Sequence, residues 1–426
     1  MRALKWILAI SGLCAALAGC GGGGGSSNAS TSSASTAPAV STAFADATAT
    51  PVASGSPNTV PITVSSFSSV RNFPMVSVKV CGPGSGGVGT TCSTIDNVLV
   101  DTESFGLRLF ASVIPGNTSA ALTRETQGGQ PVAECVSFGS GNTWGTVQKA
   151  DLVMSGELAS TLPIQVIADP TLAATIPTGT NGCLTGDDMS TPSKLGANGI
   201  LGIGTSPNDC GVDCQNSIVA GAYYLCPSTT CSVAQVAVTD QVTNPVRKFP
   251  VDNNGVIVEM WQVPDTGAAK GTGTLVFGID TQSNNALGGT GATILPTNIW
   301  GDMDAIFEGR SYSKTAFFDS GSSGLYFQST TLSKASNGFY TPAAPTGLTA
   351  VFTAASSAKA TIQFNVSNGV TLLNSGNYAF NNLGVAMFNA LDIGMPYFYG
   401  RHMYYGISGM SAAAGVVGPY VAYTSS

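Results

Sequence analysis

Two stretches of the chain, "NVLVDTESFGLRLF" from Asn97 to Phe110 and "TAFFDSGSSGLYF" from Thr315 to Phe327, share one grammar. Each runs from an apolar strand into Asp, then Thr or Ser, a third residue, Ser, one free position, Gly and Leu. A pattern repeated so far apart constrains the chain to two related halves, each presenting an acid at a strand end. Asp101 and Asp319 are therefore candidates for one split pair. The copies disagree at their third position, where Glu103 stands in the first and Gly321 in the second.

The rest of the chain fits short strands and many turns. Charged residues make up only 9% of 426 positions and glycine occurs 53 times, a composition poor for long surface helices. Alternating or β-branched apolar runs separated by Gly and Pro include "FPMVSVKV", "TIDNVLVD", "TLPIQVIAD", "GVIVEMWQV", "GTLVFGID", "ATIQFNV" and "VTLL", all read as strands. No segment holds a long 3.6-residue apolar period, so any helices are short. The fold class is all-β. A net charge of −7 with basic residues scattered singly offers no stripe for phosphate, which argues against nucleic acid as a partner.

The N-terminus reads as an address. Arg2 and Lys5 precede "WILAISGLCAALAGC", a charged region and an apolar run too short for a membrane span. "LAGC", Leu17 to Cys20, resembles the bacterial lipobox. That resemblance implies a signal peptide over 1–19 and a lipid on Cys20, and Gly21 in place of Asp implies sorting to the outer membrane. An ordinary secretory cleavage nearby is the alternative. Residues 20–59 are low in bulky apolar side chains and read as a tether, with the fold beginning near Val60.

Eight cysteines follow the tether, an even number that suggests disulfides in an exported chain. Cys81 and Cys92 flank a Gly-rich turn. Cys210 with Cys214 and Cys226 with Cys231 suit small loops, and Cys135 with Cys183 remains by elimination. A Cys₄ zinc site built from the last four is the competing reading.

Two carboxylates held close together cannot both ionise cheaply, so one keeps a proton well above its usual range and the pair titrates as a unit. The ionised member can take a proton from water while the other donates to a peptide carbonyl. Hydroxyl residues beside each Asp can keep the two loops in register.

These motifs resemble the paired Asp loops of pepsin-like aspartic peptidases, and more closely a bacterial family of pepsin-like lipoproteins. Further stretches match in order: "FGSGNTWGTV" from Phe138 resembles the flap hairpin, and "ANGILGIG" from Ala197 resembles the segment threading beneath the first Asp loop. "GTLVFGID" from Gly273 resembles the strand that opens the second lobe, and "LDIGMPYFYGRHMYYGI" from Leu391 the second threading segment. The likeness runs from about Pro61 to Ala422 and implies a bilobal double β-barrel with a cleft between lobes. It divides the chain into a first lobe over 60–207, a Cys-rich inter-lobe segment over 208–242 and a second lobe over 243–426.

The resemblance implies Asp101 and Asp319 as the catalytic pair, Thr102 and Ser320 as interlocking hydroxyls, and Gly321, Ser104 and Ser322 as supports. It places Phe138 and Gly139 at the flap over substrate, and it implies no cofactor, no metal and a monomer. Three positions depart from the pattern. Phe138 replaces the usual flap Tyr, Asp392 stands where the threading segment is normally apolar, and Glu103 replaces a Gly. Glu103 either points into the cleft, taking the space of substrate and water, or points outward and leaves its N–H to serve.

Two functions are therefore expected as alternatives. One is an envelope-anchored aspartic endopeptidase acting on extended polypeptide. The other is an inactive lipoprotein of the same fold that binds peptide or envelope-protein partners in its cleft, on either face of the outer membrane. The single histidine, His402, has no G-x-S-x-G elbow to serve and reads as structural. The aromatic cluster Tyr397, Phe398, Tyr399, Tyr404 and Tyr405 reads as core.

Overall fold

Strand Lys359–Val366 shows the period-two logic on which the molecule is built: Ala360, Ile362, Phe364 and Val366 are buried while Lys359, Thr361 and Gln363 face solvent. A computed structural model of the protein describes residues 43–174, 176–178, 182–183, 186–413 and 415–424. The expected signal peptide, Cys20 and the tether up to residue 42 lie outside the described residues.

The first half closes a barrel. Met75–Cys81, Cys92–Asp101, Gly199–Ile203, Phe105–Phe110, Glu157–Ile167 and Gly141–Met154 pair in that order, and the last returns to the first. In the second half a 7-stranded sheet runs Lys359–Val366, Thr346–Thr353, Met303–Phe307, Arg310–Asp319, Leu391–Gly394, Leu325–Phe327 and Gly384–Ala386, curling without closing. An antiparallel sheet joins the lobes, built from Thr59–Val64, Gly271–Phe277, Gly255–Met260, His402–Gly406, Tyr420–Thr424 and Thr293–Pro296. The chain thus has the expected all-β, two-lobed fold, and its first half lends a strand to the shared sheet.

Each lobe repeats one crossing. Gly199–Ile203 lies between Cys92–Asp101, to which it is parallel, and Phe105–Phe110, to which it is antiparallel. Leu391–Gly394 lies in the same way between Arg310–Asp319 and Leu325–Phe327. Both inserted strands are wholly buried, which is why each is short and rich in glycine and aliphatic residues. A Cβ on Gly202 would lie 2.5 Å from the Phe105 nitrogen, and one on Gly394 would lie 2.1 Å from the Gly324 oxygen. Only glycine lets the Asp loops close over these strands.

The cysteines pair as Cys81–Cys92, Cys135–Cys183, Cys210–Cys214 and Cys226–Cys231. The last two bridges use up the four thiols of the competing zinc reading. Three other expectations need correction. "VTLL" lies in the helix Gly369–Asn374, because the Asn368 side chain caps the Thr371 N–H at 3.1 Å and the helix buries Leu372 on one side.

The Cys-rich segment does not simply bridge the lobes. Its strand Tyr223–Leu225 pairs with Val132–Glu134 of the first lobe, and Tyr223, Cys214 and Val236 share a core with Val132 and Val147. The tether also ends earlier than residue 59. Ala47 and Ala49 are buried, the Ala49 N–H donates to the Gly400 carbonyl at 2.8 Å, and the Phe44 backbone pairs with the Asn365 amide group. Small side chains that look like linker in sequence here allow the backbone to lie flat on the second lobe.

Candidate active site

The two inserted strands hold Asp101 and Asp319 at equivalent places, Asp101 opposite Gly202 and Asp319 opposite Gly394. Each carboxylate is then bound by its own loop in the same way. Asp101 Oδ1 accepts the Glu103 N–H at 3.0 Å and Oδ2 the Ser104 hydroxyl at 2.6 Å. Asp319 Oδ1 accepts the Gly321 N–H at 2.8 Å and Oδ2 the Ser322 hydroxyl at 2.7 Å. These bonds fix both rotamers. A Cβ on Gly321 would lie 2.9 Å from Asp101 Oδ1 and 3.2 Å from Asp319 Oδ1, so one atomic position reaches both acids.

Beneath the pair the loops interlock. The Ser320 N–H donates to Thr102 Oγ1 at 2.9 Å and the Ser320 hydroxyl to the Val100 carbonyl at 2.7 Å, while the Thr102 hydroxyl reaches the Phe318 carbonyl at 3.5 Å. Each hydroxyl therefore serves the residue just before the opposite Asp. Tyr405, fully buried, adds a 3.1 Å bond from its hydroxyl to the same Phe318 carbonyl.

Burial raises Asp319 well above the usual carboxylate range, and like charge on Asp101, Asp392 and Glu103 raises it further against the Ser322 hydrogen bond. Asp392 acts from a fully buried position on the inserted strand, with Oδ2 2.6 Å from Ser322 Oγ.

Glu103 takes the outward course. Its N–H serves Asp101, as the Gly321 N–H serves Asp319, and its carboxyl reaches the second lobe, where a Cβ on Gly301 would lie 3.0 Å from Oε1. The same loop of the second lobe meets the first lobe at two further points. The Thr205 hydroxyl donates to the Ile299 carbonyl at 3.0 Å, and the Phe105 and Trp300 rings lie 5.7 Å apart.

The hairpin Gln130–Phe138 and Gly141–Met154 carries Gly139 at its tip. Phe138 packs on the first-lobe cluster that contains Met75, Leu99 and Phe110. The hairpin is braced from outside, since the Asn142 N–H donates to the Asp187 carbonyl at 2.8 Å, the Met189 N–H to the Asn142 carbonyl at 2.9 Å, and Cys135 is bridged to Cys183. His402 lies away from the pair, with Nε2 2.9 Å from the Thr50 carbonyl, and the five aromatics from Tyr397 to Tyr405 are buried.

Sequence reasoning missed the buried ion cluster at the base of the flap. The Arg108 guanidinium meets Glu134 at 2.8 Å and Asp209 at 3.3 Å, and Tyr223 donates to Asp209 at 2.7 Å. The signal was present as one charge each in the otherwise apolar "FGLRLF" and "VAECVSF". A lone charge in a buried strand needs an opposite partner.

A family model described as "Protein of unknown function (DUF3443)" matches residues 54–423. The chain belongs to this family. The DUF3443 match takes in both Asp loops, both inserted strands, the flap and Asp392. No curated protein matches the chain. Among solved structures, an aspartic proteinase from Irpex lacteus is similar at 17% identity, covering 86% of this chain and 97% of that chain, with a TM-score of 0.46.

Proposed function

We propose that this DUF3443 protein is an aspartic endopeptidase held in the bacterial cell envelope by a lipid on Cys20. The observation that carries this reading is the matched binding of Asp101 and Asp319, each through an N–H two residues on and a hydroxyl three residues on. An Asx turn alone would explain the N–H bonds, but here two such loops meet so that one position reaches both acids. With Asp319 protonated, Asp101 is the base. It takes a proton from water as the water oxygen attacks the peptide carbonyl carbon, and Asp319 donates its proton to the carbonyl oxygen. Collapse of the resulting diol breaks the C–N bond, with a proton delivered to the leaving amine.

Substrate on this reading is extended polypeptide, lying beneath Phe138 and Gly139, and the enzyme works as a monomer on the outer membrane. Proteolysis of an unfolded protein mixture between acidic and neutral pH tests the chemistry. Parent protein should cleave and Asp101→Asn and Asp319→Asn should not; equal cleavage by all three rejects it. Fatty-acid labelling lost in Cys20→Ala tests the anchor.

A second reading, peptide binding without cleavage, is favoured by one observation, the acidic Glu103 in the first Asp loop where the second loop has Gly321. Tight binding of peptides by a parent protein that never cleaves them would select it.

A further inference from the structure

The segment between Thr59–Val64 and Met75–Cys81 touches both Asp loops. The Pro74 carbonyl accepts the Val100 N–H at 2.8 Å, directly before Asp101. Two residues earlier Asn72, fully buried, reaches into the second lobe, where its Nδ2 donates to the Ser323 carbonyl at 2.9 Å, within the loop that begins at Asp319. Its amide is fully used. Nδ2 also donates to the Phe380 carbonyl at 3.1 Å, while Oδ1 accepts the Phe380 N–H at 2.7 Å and the Tyr399 hydroxyl at 3.2 Å. Carbonyls on one side and donors on the other fix which way the amide faces. The Asn72 N–H bonds the Tyr378 carbonyl at 2.8 Å, and its φ of 57° lies in the left-handed region, where asparagine is enriched.

The duplication within the chain shows what this contact replaces. Matching Asp101 to Asp319 sets Phe105 against Ser323 and Arg108 against Tyr326. In the first copy the Phe105 carbonyl is capped from its own lobe, by Arg108 Nη1 at 2.8 Å, and Glu134 and Asp209 hold the guanidinium. In the second copy Tyr326 sets its hydroxyl 2.8 Å from the Ser323 hydroxyl, and the donor to the Ser323 carbonyl comes across the lobe boundary from Asn72. The same point of each loop is held by a buried side chain, once from its own lobe and once from the other.

We propose that Asn72 is a positioning residue of the pair, which fixes the Asp319 loop against the Asp101 loop at a second point. The first point is the interlock of Thr102 and Ser320 beside the acids. A single point of attachment leaves two bodies free to turn about it, and a second one at Ser323 removes that freedom. Val100 closes the circuit, its N–H bound by Pro74 and its carbonyl by Ser320. Hydrolysis needs such a frame, since misplacing reacting groups by about 1 Å can cost about 100-fold in rate. The inference rests on the peptidase reading for its meaning but not for its first measurement.

The test compares Asn72→Gly, which removes the side chain and suits a positive φ, with Asn285→Ala. Asn285 is also buried, and its side chain makes four bonds, to Phe277, Thr281 and Gln282, all outside the Asp loops. Backbone ¹⁵N–¹H resonances of the purified protein should move at residues 319–324 and 100–104 in Asn72→Gly and keep their places there in Asn285→Ala. On an unfolded-protein substrate kcat should fall about tenfold or more in Asn72→Gly with KM within about twofold of the parent. Asn72→Ser, which keeps a hydroxyl at the site, serves if the Gly variant does not fold. Unmoved resonances at 319–324 in a folded variant overturn the proposal, as does a kcat that falls no further than in Asn285→Ala. The spectra are read without substrate, so moved resonances alongside a parent that cleaves nothing reject the peptidase reading alone. Cleavage by the parent with unmoved resonances in the variant rejects this inference alone.

Discussion

Ser322 Oγ lies 2.6 Å from Asp392 Oδ2 while standing 2.7 Å from Asp319 Oδ2. A hydroxyl has one proton to donate, so it cannot donate to both carboxylates. The two acids therefore compete for one donor, and like charge on Asp392 adds to the burial that raises Asp319. Asp392→Asn supplies a neutral donor at the same place and removes one of the charges that raise Asp319. Its pH profile should keep its shape with the alkaline limb displaced by about one unit toward acid. A limb that stays in place would show that Asp392 does not govern the titration.

The interlock should be worth more than its number of bonds suggests. Ser320→Ala leaves the buried Val100 carbonyl without its 2.7 Å donor, directly before Asp101. A loss of about 1–3 kcal/mol is expected in denaturant unfolding. Activity should fall in addition, since the two loops lose their register. Adding Thr102→Ala should cost less than the sum of the single changes, because both act on one network.

The flap should be stiff for a hairpin of its length. Cys135–Cys183 and the bonds between Asn142 and residues 187 and 189 brace it from the side away from its own turn. Replacing Cys135 and Cys183 together by Ser should lower stability by roughly 2–4 kcal/mol. Amide exchange should accelerate around residues 136–142 and stay unchanged around Asp319. Acceleration spread evenly over both lobes would contradict a local brace.

Glu259 gives a signed pH dependence of stability. Its buried carboxyl accepts the Val52 N–H at 2.7 Å and lies 3.4 Å from His402 Nδ1; burial raises it to about 7, against the lowering effect of Val52. The folded state therefore holds a proton that the unfolded chain has already released. Its stabilising contribution is complete below the ordinary Glu range and is lost as pH rises through about 7. Glu259→Gln cannot titrate. Between about pH 5 and about pH 8 the parent should lose Tm relative to this variant, by on the order of a few degrees. A constant difference would mean that Glu259 is not proton-bound in the folded protein.

Much of the site was legible because duplication made it so. The repeated grammar around Asp101 and Asp319 exposed the pair, the hydroxyls Thr102 and Ser320, the supports Ser104 and Ser322, and the odd member Glu103, while the family resemblance singled out Asp392. Period-two alternation showed the strands, and the close spacing of Cys210 with Cys214 and Cys226 with Cys231 showed two bridges. "VTLL" failed because four apolar or β-branched residues fit a strand and a capped helix turn equally well, and the cap at Asn368 decided it. Residues 43–58 failed because Ala and Thr carry little apolar signal. Their docking depends on backbone bonds to Gly400 and side-chain bonds to Asn365 and Glu259, all from more than 200 residues away.

What the sequence determined by itself is therefore the local and repeated part: which residues sit at strand ends, which acids form a pair, and where two copies of one device differ. Tertiary structure alone decided where Glu103 points, because that depends on a glycine at residue 301 lying across the lobe boundary with room for a carboxyl. It also decided that Asp392 reaches Asp319 through Ser322, and that Arg108, Glu134 and Asp209 meet beneath the flap. Each is a contact between segments far apart in the chain. Their distances are set by how the two lobes close on the shared sheet, and no local pattern of residue types encodes that closure.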